Sequence, residues 1–265
     1  PMATVSGAPY DKKFFDRIGD STLRSARIIA PKVLELTQAT SIVDVGCGQG
    51  GWLQAFMDLG VEDVVGLDGD YVNKDSLLIP ADRFRAVDLT EGVSLDQKFD
   101  LAMSLEVAEH LDAKHADAFV KTLTDLAPIV LFSAAIPFQG GTSHVNEQWQ
   151  DYWALRFRAA GFVPVDCIRP VFWNDSEVAV WYAQNILVYA RPEALDRLPE
   201  LARAAERTNP SALSVIHPRL LRKVSTHFAR RSFSLRRFFG WRLKGLWRRD
   251  YGLDLDLAPS KEFKA

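Results

Sequence analysis

Cysteine is nearly missing from this sequence, with two residues, Cys47 and Cys167, in a chain of 265. Two thiols so far apart supply neither a disulfide framework nor a cysteine-built zinc site, and a reducing compartment is the expectation. No N-terminal apolar run resembles a signal peptide, and no apolar run reaches the roughly 20 residues needed to cross a bilayer, so a cytoplasmic location is expected. No internal repeat is present. Acidic residues are missing from one whole segment: residues 218–249 carry 11 Lys and Arg and no Asp or Glu. Residues 1–217 carry 19 basic against 30 acidic residues, a net of −11, so the formal total of −2 hides an acidic body with a basic C-terminal arm. An acidic body repels a phosphate backbone, which disfavours nucleic acid as a partner outside the arm.

What remains is the composition of an ordinary globular protein, long enough to bury a substantial core. Residues 20–36 place Leu23, Ala26, Ile29, Val33 and Leu36 mainly three and four apart, which predicts an amphipathic helix despite Pro31. Short apolar runs then alternate with helical stretches. Strands are expected at 41–45, 64–67, 84–87, 99–105 and 129–134, and helices at 51–59 and 113–126. A helix over 146–160 and a closing strand pair at 163–168 and 183–190 follow. From residue 191 the text is helical, with breaks at Asn209-Pro210 and His217-Pro218. Strands alternating with helices predict an α/β fold, a doubly wound and mostly parallel seven-stranded sheet with a helical C-terminal extension. The expected domains are a helical segment 1–37, a central domain 38–192 and an extension 193–265. Ligands of such sheets sit at the carboxyl ends of the strands.

The most informative segment is an apolar strand running into Asp44-Val45-Gly46-Cys47-Gly48-Gln49-Gly50-Gly51-Trp52 and then a helix. Its glycines permit a tight turn and let backbone N–H groups approach a ligand. A second strand ends in Asp68, placed to accept both hydroxyls of a ribose, and a third ends in Asp88-Leu89, where the carboxylate can accept from an adenine amino group. Over residues 38–190 this pattern resembles the class I S-adenosylmethionine methyltransferases, whose fold is Rossmann-like. The resemblance implies S-adenosylmethionine as cofactor, cradled by Asp44, Gly46, Cys47, Gly48, Gly50 and Trp52, with Asp68 on the ribose, Asp88 and Leu89 at the adenine, and Ser104 and Glu106 completing the pocket. The dinucleotide fingerprint fits less well, since its third glycine falls three residues after the second rather than two, and Asp44 would repel a pyrophosphate while a cationic sulfonium welcomes it.

Methyl transfer needs in-line placement and, for a hydroxyl acceptor, a way to remove its proton. If a helix opens near Glu106, then Glu106, Glu109 and His110 stand at i, i+3 and i+4 on one face, and His144 lies in a loop reaching the same mouth. Two carboxylates and two imidazoles suit a divalent ion, Mg by the oxygens or Mn by the histidines. The set resembles the Glu-x-x-Glu-His element and later His of metal-dependent RNA terminal 2'-O-methyltransferases, although small-molecule O-methyltransferases of the ubiquinone pathway carry a similar element. Without a metal, His144 or His110 is the candidate general base. His115 reads as a solvated helix residue.

Aromatic and polar residues after the fifth strand suit a sugar, whose faces stack and whose hydroxyls need partners. Gln139, Asn146, Trp149, Trp153, Trp173 and Trp181 are the candidate acceptor contacts, with Glu147, Gln148, Asn174 and Gln184 nearby; each ring can equally be core. The run 138–190 resembles bacterial methyltransferases of glycan and secondary-metabolite biosynthesis, which implies O-methylation of a sugar hydroxyl. Within 234–249, Leu235, Phe238, Phe239, Leu243 and Leu246 form one helical stripe opposite basic residues. That pattern suits either an anionic membrane surface at its inner, cytoplasmic face or packing on protein. The rival functions are an RNA ribose 2'-O-methyltransferase and a membrane-recruited, non-catalytic cofactor-binding protein.

Overall fold

The computed structural model describes the backbone of residues 12–226 and the side chains of residues 21–226. The chain divides into two units, Pro1–Arg222 and Lys223–Ala265, and the sheet belongs to the first. The stripe expected over 234–249 lies outside the described residues. Among the described residues no helix is long and apolar enough to cross a membrane.

The order of elements is α1 (Lys12–Thr37), β1 (Ser41–Val45), α2 (Gly51–Met57), β2 (Asp63–Asp68), β3 (Phe84–Ala86), β4 (Leu101–Leu105), α3 (Ala116–Leu126), β5 (Ile129–Ser133), α4 (Gln150–Ala159), β6 (Val163–Val165), α5 (Arg169–Phe172), α6 (Val180–Asn185), β7 (Leu187–Ala190), α7 (Pro192–Leu195) and α8 (Pro199–Arg207). One seven-stranded sheet has the order β3-β2-β1-β4-β5-β7-β6. The first five strands in that order run parallel, whereas β7 is antiparallel to both β5 and β6. The fold is the doubly wound, mostly parallel seven-stranded sheet that the alternation of strands and helices predicts.

Period-two side-chain placement divides the core into two layers. Ile42, Leu101, Met103, Ile129 and Leu131 point to the layer containing Ala26, Ile29 and Val33 of α1 and Leu53 and Phe56 of α2. Their neighbours Val43, Ala102, Val130 and Phe132 point to the other, with Phe119 and Leu123 of α3 and Trp153 and Phe157 of α4. Central strands buried on both faces carry continuous apolar runs for this reason. Pro31 sits on the exposed side of α1.

Three expectations are corrected. The helix placed at 146–160 begins only at Gln150, because the preceding backbone is spent elsewhere: Val145 and Asn146 donate to the Glu109 carbonyl and Gln148 to that of Ala135. The strand placed at 183–190 is helical through Asn185 and extended only from Leu187. A short segment buried on every side has no period that separates the two states, and Tyr182, Ala183, Gln184 and Asn185 are all buried. The strand at 163–168 stops at Val165, where Asp166 turns to pair with Arg169.

Candidate active site

The order of strands reverses at β1, so the carboxyl ends of β1 and β4 diverge and leave a crevice there. Three glycines of the β1–α2 turn have positive φ, 88° at Gly46, 55° at Gly48 and 84° at Gly50. Gly46 is also sterically required: a Cβ there would lie 2.4 Å from Val107 Cγ2. Asp68, 4% exposed, gathers the turn. It accepts from Gly48 N–H at 2.6 Å, Gly69 N–H at 2.7 Å and the Tyr71 hydroxyl. Asp44 lies buried on β1, and burial together with the Asp68 charge pushes its carboxyl up to about 8. Burial likewise raises the Cys47 thiol, so it is inert at neutral pH.

A cleft of 590 Å³ opens beside Asp68, lined by Tyr71, Val87, Asp88, Leu89, His110 and Leu111 among others. Asp88 is exposed at its rim, accepting the N–H and hydroxyl of Thr90, and these bonds hold its carboxyl below the usual range. Two residues expected at the cofactor face inward instead. Trp52 is 4% exposed in the core, edge-on to Tyr182 at 5.2 Å. Ser104 is fully buried and donates to the Val45 carbonyl at 2.8 Å, tying β4 to β1.

No α-helix opens at Glu106. The residue sits past the end of β4 with φ 59°, its N–H bound to the Ser133 carbonyl and hydroxyl, and Ala108–His110 form one 3₁₀ turn. The close packing of Val107 against Gly46 sets this bend in place of the helical face that spacing suggested. Glu109, His110 and His144 nevertheless converge, each offering a ligand atom within 4.8 Å of the others. Glu106 is not in that group: its carboxylate accepts from Gln139 Nε2 at 2.7 Å and Asn185 Nδ2 at 3.1 Å.

Glu109 is 1% exposed, and neither of its carboxylate oxygens has a hydrogen-bond partner. Burial first, and the Glu106 charge second, hold its carboxyl well above the usual range. The imidazoles have fixed orientations. His144 Nδ1 lies 2.9 Å from Glu147 Oε1 and His110 Nδ1 lies 3.3 Å from the Ser143 carbonyl. Both partners only accept, which places a proton on each Nδ1 and leaves each Nε2 as the nitrogen through which the ring can serve as ligand or base. The two rings meet edge to face at 4.9 Å. An orphaned buried carboxylate beside two such nitrogens fits a divalent ion. Burial and the neighbouring His144 also hold the His110 pKa below its usual value.

Of the candidate acceptor contacts, only Trp149 is substantially exposed, at 40%. Trp153 is 1% exposed and packs on Phe132, so it is core; the pattern around it cannot tell a buried ring from one facing a cleft. Trp173 lies on His217 at 4.4 Å and Trp181 packs against the core. Gln139, Asn146 and Gln184 are buried. Gln184 is consumed within the fold, donating to Asn185 Oδ1 and accepting from the His217 N–H. Residues that spacing did not single out carry much of the local structure. Tyr71 caps Asp68, and Glu147 folds the 138–147 loop by accepting from Phe138 N–H, Gly140 N–H and His144. The position of Tyr71, three residues after the strand-end carboxylate, was the available signal.

The profile of a family described as a methyltransferase domain matches residues 10–168, more than half of the chain. No curated protein sequence matches. Among solved structures, a putative O-methyltransferase from Nostoc punctiforme is 16% identical with a TM-score of 0.52, covering 68% of this chain and 59% of its own. Magnesium protoporphyrin IX methyltransferase from Synechocystis, with S-adenosylhomocysteine bound, is 18% identical with a TM-score of 0.50, covering 70% of this chain and 90% of its own. The methyltransferase domain of bacterial CtHen1 is 22% identical with a TM-score of 0.48, covering 63% and 98%. With the glycine turn, the strand-end carboxylates and the sheet order in place, this chain belongs to the methyltransferase family and uses S-adenosylmethionine.

Proposed function

We propose that this methyltransferase transfers the methyl group to a hydroxyl of a sugar, in a glycan, a glycolipid or a glycosylated metabolite. The observation that carries the reading is the convergence of Glu109, His110 and His144, each offering a ligand atom within 4.8 Å of the others. Asp68 and the Gly46–Gly50 turn would hold the ribose and amino-acid parts of the cofactor, Asp88 and Leu89 would border the adenine, and Asp44 would face the cationic sulfonium. A divalent ion, Mg or Mn, held by Glu109, His110 and His144 would polarise the acceptor hydroxyl as a Lewis acid. In the alternative without an ion, His144, oriented through Nδ1 by Glu147, would present Nε2 to take the hydroxyl proton as the methyl group moves. The exposed ring of Trp149 offers a stacking face for a sugar.

A cytoplasmic setting and recruitment to an anionic membrane by residues 218–249 are part of the same proposal, supported by the run of 11 basic residues without an acid. The test is transfer of labelled methyl from S-adenosylmethionine to soluble glycans, lipid-linked glycans and short RNA. Labelled sugar, lost in His144→Ala while S-adenosylhomocysteine still binds, is the expected result. Labelled RNA ends without labelled glycan would overturn the sugar reading in favour of ribose 2'-O-methylation. Cofactor binding without transfer to any acceptor would favour a binding protein.

A further inference from the structure

The Glu106 carboxylate has both oxygens engaged, and the groups that engage them are themselves locked. Asn185, 2% exposed, donates through Nδ2 to Glu106 Oε1 at 3.1 Å and to Gln139 Oε1 at 2.9 Å. Its Oδ1 accepts from Gln184 Nε2 at 2.8 Å and Gln150 Nε2 at 3.4 Å, so the amide cannot flip without losing every bond. Gln139 supplies the second arm, donating to Glu106 Oε2 at 2.7 Å. The far end of the chain is anchored too, Gln184 on the His217 N–H and Gln150 on both backbone groups of Val215. Glu109, one turn away, is the opposite case: it is the more deeply buried of the two, at 1% exposure, and neither of its oxygens is in a hydrogen bond.

We propose that the Gln139–Asn185 clamp holds Glu106 out of the ligand set, leaving a Glu109, His110 and His144 centre, and that Asn185 is a positioning residue acting through Glu106. The inference rests on the divalent-ion reading above. Its chemical consequence is the number of positions left to the acceptor. An octahedral ion with three protein ligands would keep three positions for acceptor oxygens and water, and Glu106 as a fourth ligand would reduce them to two. Amides bonded to a carboxylate through two directional, charge-assisted arms restrain it, and here the amides themselves are buried, Asn185 at 2% and Gln139 at 9% exposure, with no water to take the place of the carboxylate. Asn185 stands at the end of α6, whose Tyr182 lies against Trp52 of α2, so one short helix touches the supports of both the cofactor turn and the acceptor centre.

The experiment is Mn²⁺ binding to the full chain, read by electron paramagnetic resonance, with calorimetric binding of S-adenosylhomocysteine as the control for fold. Glu109→Gln is expected to weaken Mn²⁺ at least tenfold, and Glu106→Gln to change it less than twofold. Asn185→Asp keeps size and the Oδ1 acceptor but removes the donor to Glu106, and should tighten Mn²⁺ severalfold by releasing Glu106 as a ligand. That gain should vanish in the double variant Asn185→Asp with Glu106→Gln, whereas a gain from the added charge alone would persist. Equal weakening by Glu106→Gln and Glu109→Gln, or a gain that survives the double variant, would overturn the clamp alone. No Mn²⁺ binding to the native chain would overturn the divalent-ion reading and the clamp with it.

Discussion

Glu109 gives the sharpest test of the acceptor centre, because an unclaimed buried carboxylate leaves a mark on stability that can be read without a substrate. Burial and the Glu106 charge raise its pKa well above the ordinary 4.5. In the metal-free protein the folded state therefore holds the proton more firmly than the unfolded chain does. The stability contributed by that proton is complete below the unfolded value and is lost as pH rises toward the folded one. The slope in that window is about 1.4 kcal/mol per pH unit. For a domain of this size that corresponds to roughly 3–6 °C in Tm per pH unit. Glu109→Gln fills the same space and has no proton to lose. Thermal unfolding in chelator at pH 5.5 and 6.5 should show the native protein falling by about that much more than the variant. Adding Mn²⁺ should reverse the effect in the native protein, since the ion replaces the proton and binds better at the higher pH. Parallel slopes for the two proteins in chelator would refute the reasoning, as would Mn²⁺ stabilising both equally.

Three further outcomes follow from the geometry. Asp68→Ala removes the acceptor of two backbone N–H groups and one hydroxyl, and should weaken S-adenosylhomocysteine by roughly 10–100-fold in calorimetry, with the sheet retained. Gly46→Ala places a methyl group 2.4 Å from Val107 at a φ of 88°, and should cost about 2–4 kcal/mol by denaturant titration, partly recovered when combined with Val107→Ala. Trp153→Ala should cost about 3–5 kcal/mol of stability while leaving cofactor affinity within twofold, since the ring is core and touches Phe132; loss of affinity at unchanged stability would return it to the acceptor site.

The fold was legible because two periods coexist in the sequence. Leu23, Ala26, Ile29 and Val33 repeat at the spacing of a helix, and the short apolar runs around Val43, Val65, Ala102 and Val130 mark strands covered on both sides. Legibility ended where burial is isotropic. Ala183 lies three residues ahead of the apolar run 186–190 that reads as strand, but its turn is buried all round and folds as helix, with the strand delayed to Leu187. The 146–160 helix was read too long for a related reason: spacing says nothing about backbone groups already spent, here on the Glu109 and Ala135 carbonyls.

The site divides along the same physical line. Glycines at 46, 48 and 50 and a carboxylate at the end of β2 are written locally, because a turn of positive φ and a strand terminus are consequences of a few adjacent residues. The acceptor centre is not local. Helical spacing grouped Glu106 with Glu109 and His110, and the backbone bend at φ 59° separates them, while Asn185, 79 positions away, decides what Glu106 can do. Long-range amide contacts of this kind have no periodic signature, and Gln184 reads equally well as a partner for a sugar until its bonds are seen to be spent inside the fold. On the proposed centre, a Glu-x-x-Glu-His element would specify ligand types and leave ligand number to the donors that reach the first carboxylate, here Gln139 and Asn185.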